Sequence, residues 1–345
     1  MTKLNEREII DLFISELKSD NTIAEFGKDD VAILSLKDAK TKTSKNNIFC
    51  PASIILKCDM LIGKTDIPTG MKPWQIARKS IVACVSDLSA KGVKPPYLSL
   101  ISLGIPRRYS KNEIKGLIIG FQIASKEFGI KIVGGDTNES NELIIDCNMI
   151  GFSNVNDAAN IPRRSGAKSG DLVIVSGEFG YSSSGLKILM NNAKSHGVFK
   201  KNAILSVVKP KPRQKFGITL AKYFSSSIDS SDGLAISLYE LARQSKVNLL
   251  IENTPSAKGV VDFAQNNGLD AKELVFHGGE EYEIVATIPK SKLNRIRSVA
   301  RKSKLKLLLI GKVEKGDGKV FLLDGNDTRK ETSLLDDRGY VHLNG

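Results

Sequence analysis

Lys131-Ile132-Val133-Gly134-Gly135-Asp136-Thr137-Asn138-Glu139-Ser140 is the stretch from which the fold can be read. It follows residues 113–128, whose pattern predicts a helix, and it opens within Ile130–Val133, a short apolar run that reads as a buried strand. Two glycines then permit a sharp turn or a close backbone approach where a Cβ would clash. Asp136 would fall at a strand's carboxyl end, where open α/β sheets place their ligands. An Asx-turn leading to the next strand, from Leu143, accounts for the same residues without any ligand. Repetition argues for more than a turn, because strand, turn and aspartate recur at several other places in the chain.

At 345 residues the chain is long enough for two domains, each with its own core. No apolar run reaches the ~18 residues of a membrane span, and the N-terminus lacks the apolar segment of a signal peptide. Cys50, Cys58, Cys84 and Cys147 show no C-x-x-C spacing, so a disulfide framework or zinc knuckle is not expected and a reducing cytoplasm is the simplest setting. The net charge of +13 invites a nucleic-acid reading. The lysines are scattered, however, and interleaved aromatics are few, so a solvated basic surface that attracts an anionic small substrate fits better. With only His196, His277 and His342, far apart, a Ser-His-Asp triad or a histidine-rich metal site is a poor fit.

Taken in order, residues 3–18 form one amphipathic helical face, and Lys28-Asp29-Asp30 enters a strand. Residues 37–47 are a polar loop, and residues 53–62 a strand that carries Asp59 near its end. Gly63-Lys64-Thr65 imitates the end of a P-loop, but Cys58 stands where its first glycine belongs. Residues 71–90 predict a helix with Pro73 near its start and Asp87 in its last turns, where an acid opposes the macrodipole. Pro95-Pro96 breaks the chain before a strand over 97–103, and another strand over 142–152 closes the first half. The polar segment 153–162 marks the boundary between domains 1–153 and 154–345.

In the second half, residues 163–171 form a basic, glycine-containing turn before a strand over 172–176, with Arg164 offering a planar fork for phosphate. Residues 177–185 read as a small-residue loop opening a helix from Leu186, with an anion-receptive N-terminus. Asp229-Ser230-Ser231-Asp232 joins a short strand to a helix over 234–245; Ser231 or Asp232 as N-cap explains one of these residues but not Asp229 too. Gly278-Gly279-Glu280-Glu281-Tyr282-Glu283 precedes a strand over 284–288, and further strands are expected over 306–310 and 319–323.

Asp30, Asp59, Asp87, Asp136, Asp229 and Asp232 therefore all sit at element ends or turns in a basic chain. If several converge, their mutual repulsion calls for cations. Hard oxygen ligands favour Mg²⁺ completed by substrate phosphates, a combination suited to phosphoryl transfer.

The ordered set Lys28-Asp29-Asp30, Cys58-Asp59-Met60-Leu61, Ser86-Asp87-Leu88-Ser89-Ala90-Lys91-Gly92, Gly134-Gly135-Asp136-Thr137-Asn138, Arg164 to Asp171, Ile228 to Leu234 and Gly278 to Glu283 resembles the thiamine-monophosphate kinase family. That family is related to aminoimidazole ribonucleotide synthetase and selenophosphate synthetase, and the likeness runs from about Phe26 to Tyr340. It implies a two-domain α/β fold with mixed sheets, like that of aminoimidazole ribonucleotide synthetase, whose N-terminal domains pair in a homodimer barrel. It also implies ATP-dependent phosphorylation of thiamine monophosphate to thiamine diphosphate, by direct in-line transfer with several Mg²⁺ ions. Under the same resemblance Asp30, Asp59, Asp87, Asp136, Asp229 and Asp232 would hold metals, and Asp87, Asp136 and Asp232 would be central to catalysis. Gly135, Asp136, Arg164 and Ser231 would contact ATP, while Asp66, Glu280 and Tyr340 would lie against the thiamine moiety.

The chain departs from the familiar pattern in three places. Lys57 and Cys58 replace a hydroxyl pair, Asp66 stands where bacterial members place a substrate-contacting histidine, and Glu281 replaces an aspartate. The change at Asp66 resembles the archaeal branch. The nearest rival is a sister ATP-dependent synthetase, and Lys57 and Asp66 keep open a nucleotide-binding relative without turnover. No membrane or nucleic-acid partner is expected.

Overall fold

The computed structural model describes Glu8, residues 23–24, 29–35, 53–153, 161–324 and 331–340. Apart from Glu8, the helix expected over 3–18 lies outside the described residues, as do Lys28, the loop over 37–47, Cys50 and most of the expected boundary segment.

Two mixed sheets organise the chain. The first has the order β1-β2-β3-β6-β4-β5, built from β1 (Ile23–Ala24), β2 (Ala32–Ser35), β3 (Ser53–Ile62), β4 (Lys94–Ile105), β5 (Ile130–Glu139) and β6 (Ile144–Ser153). Among the described strand pairs of this sheet only β4 and β5 run parallel; they are joined by a helical crossover. Its two long helices are α1 (Pro73–Ala90) and α2 (Lys111–Phe128), and a single helical turn spans Gly63–Asp66. Pro73 starts α1 with the φ it already prefers. Ser110 and Glu113 cap α2 reciprocally, and Gly129 ends it in the left-handed conformation.

Alternation along the strands sorts their side chains. Lys57, Asp59 and Leu61 of β3 share a face with Met149, Cys147 and Ile145 of β6 and with Ser99, Ile101 and Leu103 of β4. This inner face packs on Ile81, Val85, Leu88 and Leu117 of the two helices. Met60, Asp146, Ser102 and Asp136 line up across the sheet on the opposite, outer face.

The second sheet has the order β13-β12-β9-β11-β7-β10-β8. Its strands are β7 (Leu172–Val175), β8 (Ser226–Ser230), β9 (Val247–Ile251), β10 (Glu283–Ile288), β11 (Leu308–Lys315), β12 (Val320–Asp324) and β13 (Glu331–Leu334). The helices of this half are α3 (Tyr181–Asn191), α4 (Gly197–Val208), α5 (Gln214–Leu220), α6 (Leu234–Ser245), α7 (Val260–Asn266) and α8 (Leu293–Lys302). Val175, Ile228 and Val285 pack with Leu238 of α6 on one face, while Ile174, Ile284 and Ala286 pack with Phe216 and Ile296 on the other.

Helix α1 is buried along most of its length because both halves use it. One side meets the first sheet, and the other lies on α5 and β8. A Cβ at Gly217 of α5 would run into the Ser89 carbonyl, so only glycine allows the two helices this close.

Several expected boundaries shift. Asp59 and Asp136 lie inside β3 and β5 rather than at strand ends, because pairing carries both strands past them. Strand β4 runs from Lys94 through Pro95-Pro96, with a register break between Lys94 and Leu98 absorbing the two prolines, which lack ladder donors. Residues 181–185 are helical instead of a loop, since α3 starts at Tyr181. Neither Ser231 nor Asp232 caps α6; Gly233 occupies that position without a side-chain bond. Among the described residues no helix is long and apolar enough to cross a membrane.

Candidate active site

Three aspartates from distant parts of the chain meet where the two sheets adjoin. Asp30 precedes β2, Asp87 lies in the last turns of α1, and Asp229 belongs to β8. All three are buried, and one carboxylate oxygen of each lies within 4.8 Å of the others. Burial followed by repulsion from Asp229 pushes the Asp87 carboxyl well above the usual carboxylate range. Burial followed by Asp30 likewise raises Asp229. Asp30 goes the other way: burial would raise it, but the Arg164 and Lys91 charges together hold it down.

Three cations support this acidic nest. Lys91 reaches Asp29 at 2.6 Å and Asp30 at 2.7 Å, and donates to the Ser227 carbonyl at 2.7 Å. Arg164 donates from Nε to Asp30 at 2.7 Å and lies 3.7 Å from Glu240. Lys57 sits 2.7 Å from Asp87 and 3.6 Å from Asp59, and so links Asp59 to the trio. Burial alone would depress the Lys57 ammonium, but Asp87 and Asp59 outweigh it and hold it well above the ordinary lysine value. The donor set of closely spaced, buried carboxylate oxygens suits a hard divalent cation such as Mg²⁺.

A second group gathers on the neighbouring loop. Glu280 donates its N–H to the Ser231 carbonyl at 2.5 Å, and Tyr340 donates to the Asp232 carbonyl at 3.0 Å. Lys79, buried on α1, donates to the Asp66 carbonyl at 2.7 Å and pairs with Glu280 Oε1 at 2.5 Å. The other carboxylate oxygen, Glu280 Oε2, is buried and has no hydrogen-bond partner among the described residues. Glu280 and Tyr282 both adopt left-handed backbone, at φ 63° and 53°, a strained conformation that the surrounding loop must enforce. The Asp66 carboxylate is turned inward onto the Ile62 N–H at 2.7 Å, closing its own helical turn.

Gly135 and Asp136 stand apart from both groups. At Gly135 a Cβ would strike the Ile101 carbonyl on β4, so glycine is required there. Asp136 is exposed on the outer face, where the Asn138 amide donates to it at 3.4 Å. Gly135 is in line with Asp59 across β4 and β6, three strand spacings or roughly 14 Å away. A shallow groove of about 320 Å³ between this edge and α2 is lined by Ile101, Leu103, Leu117, Phe121, Gly134 and Asp136.

The anion-receptive N-terminus expected near residues 177–185 is already covered by a carboxyl group: Glu281 Oε1 accepts from the N–H groups of Gly180 at 2.6 Å and Ser182 at 3.0 Å. Lys79 and Lys91 were not marked by spacing alone. Their signal is a cation inside, or just past the end of, a helix rich in apolar and small residues, since a buried ammonium requires a carboxylate.

Residues 29–153 match the family model described as AIR synthase related protein, N-terminal domain. The thiamine-monophosphate kinase of Nitrosopumilus maritimus is 40% identical over 344 residues, covering 99% of this chain and 100% of the relative. The chain belongs to the thiamine-monophosphate kinase family. A second thiamine-monophosphate kinase, from Pyrococcus horikoshii, is 33% identical over 347 residues, spanning 100% of this chain and 98% of its own length. The solved structure described as AaThiL complexed with AMPPCP and TMP superposes with a TM-score of 0.78 at 26% identity, covering 96% of this chain and 98% of that one. In this member of the thiamine-monophosphate kinase family the fold aims Lys57 at the acidic trio.

Proposed function

We propose that this chain transfers the γ-phosphoryl group of ATP to thiamine monophosphate, giving thiamine diphosphate and ADP. The observation that carries the reading is the meeting of Asp30, Asp87 and Asp229 within 4.8 Å of one another, in a chain that matches kinases of this family end to end. In-line transfer to a phosphate acceptor needs positioning and charge neutralisation rather than a covalent nucleophile.

Asp30, Asp59, Asp87 and Asp229 would hold Mg²⁺, with Asp232 and Asp136 as further ligands. Bound there, Mg²⁺ would neutralise charge on the transferring phosphates. Gly135, Asp136, Arg164 and Ser231 are assigned to ATP. Arg164 steadies Asp30 from one side and would present its guanidinium to phosphate oxygens as nucleotide binds. Asp66, Glu280 and Tyr340 are assigned to thiamine monophosphate. The unpartnered Glu280 Oε2 supports this, because a buried carboxylate oxygen needs a donor and the substrate can supply one. Asp87 and Asp136 would orient the reacting phosphates through the ions they hold, and Asp232 would do the same from the C-terminal half.

Asp136 is brought to the phosphates by a second copy of the chain. The outer face of the first sheet exposes Leu56, Met60 and Leu100, and the β5 edge exposes Val133. An apolar sheet face ending in an unpaired edge strand is suited to pairing. A homodimer joined there would carry Asp136 across the interface. We assign the protein to the cytoplasm, a compartment that supplies ATP.

The test is purified protein incubated with ATP, Mg²⁺ and thiamine monophosphate, assayed for thiamine diphosphate. Turnover is expected, with Asp87→Asn and Asp229→Asn lowering kcat on the order of a hundredfold or more while the circular dichroism spectrum is retained. ATP binding without any turnover by the wild-type chain would instead identify a non-catalytic relative.

A further inference from the structure

The cluster contains six acids, Asp29, Asp30, Asp59, Asp87, Asp229 and Glu240, and three bases, Lys57, Lys91 and Arg164. The acids outnumber the bases, an excess that a bound divalent ion would offset. The bases divide the work. Lys91 and Arg164 both serve Asp30, with Lys91 also on Asp29. Lys57 alone among them lies within 4 Å of Asp59 and Asp87. Its position is set by the strand: residues 57 and 59 alternate onto the same inner face of β3, which looks toward the last turns of α1. A cation held between two carboxylates neutralises them much as a metal ion would, but it cannot dissociate.

We propose that the Lys57 ammonium stands in for one divalent ion at this site, so that the nucleotide-free chain takes up a single divalent ion where a neutral residue at position 57 would admit two. The inference rests on the acidic cluster being the metal site of the kinase reading. It gives Lys57 a positioning role: it holds the Asp59 and Asp87 carboxyl groups in place before nucleotide arrives. The dependence of activity on free Mg²⁺ is shallower as a result, because fewer ions must be recruited from solution.

The experiment titrates Mn²⁺ into the nucleotide-free protein, following bound ion by calorimetry and by electron paramagnetic resonance. Wild-type chain and K57R are expected to bind one equivalent tightly. K57T and K57M are expected to bind two, with the second site holding Mn²⁺ at least tenfold tighter than any further binding to wild type, and with Mn²⁺ raising Tm more than it does for wild type. Two or more tight ions in the wild-type chain would overturn the proposal without recourse to any variant, so a K57T protein that fails to fold does not rescue it. Equal stoichiometry in wild type, K57T and K57M, with kinase turnover intact, would remove Lys57 from this role and leave the kinase reading standing. No tight Mn²⁺ in any of these proteins, with turnover absent, would remove both.

Discussion

Glu280 is held in left-handed backbone, with one carboxylate oxygen on Lys79 and the other buried without a partner among the described residues. Such an arrangement costs stability unless something returns it on binding. If a substrate donor completes the carboxylate, Glu280→Gln should raise the KM for thiamine monophosphate about 10–100-fold, as expected for loss of a charged hydrogen bond, with little change in kcat. Steady-state kinetics with varied acceptor decides this; an unchanged KM would separate Glu280 from the substrate. At this scale the sequence was informative about residue types and less so about partners. Asp30, Asp87 and Asp229 stood out as acids at turns and element ends, and they do meet. Lys57 stood out only as a departure from a pattern, and Lys79 not at all. Which cation faces which acid depends on strands and helices far apart in the chain, and no local spacing encodes that.

The N-terminus of α3 is covered by the Glu281 carboxyl, which burial raises to about 8 against an ordinary 4.5, even though the Gly180 and Ser182 N–H groups act in the opposite direction. The folded chain thus keeps a proton that the unfolded chain has released over roughly pH 5 to 8. Stability should fall as pH rises through that window, by at most about 1.4 kcal/mol per pH unit for a single proton. Glu281→Gln should flatten the dependence, as measured by urea unfolding at several pH values without divalent metal. A wild-type profile that rises across the same window would reverse the assignment. Helix α6 and strand β3 have the bounds expected from periodicity and turn chemistry. The start of α3 was misread because Ser182-Ser183-Ser184-Gly185 has weak helix propensity; packing on α4 overrides it, with Gly185 set against the Ala203 carbonyl.

On the scale of the whole molecule, two mixed sheets share one central helix, and that sharing fixes the site. The broad α/β class and the first-half strand pattern were legible because alternation and apolar runs report burial directly. The distance between Asp136 and the other acids was not, because face and strand order emerge only once the sheet is assembled. The exposed outer face gives the expectation that the chain is a dimer in solution by light scattering. Leu100→Glu should produce a folded monomer with turnover lowered by at least tenfold, since Asp136 would then lack the opposite site. A fully active monomer would show instead that one chain suffices. The net charge of +13 favours capture of two anionic substrates from solution, an effect that weakens as salt is added.

Lys91 grips Asp29 and Asp30 from the first half and the Ser227 carbonyl from the second, at the very point where Asp87 and Asp229 also face each other. The site is therefore a clasp between the two lobes as well as a binding place. Whatever fills it would fasten the lobes further, and whatever empties it leaves Lys91 and Arg164 to hold them against the crowding of Asp87 and Asp229. Cofactor loading and mechanical cohesion of the molecule are in this way a single equilibrium.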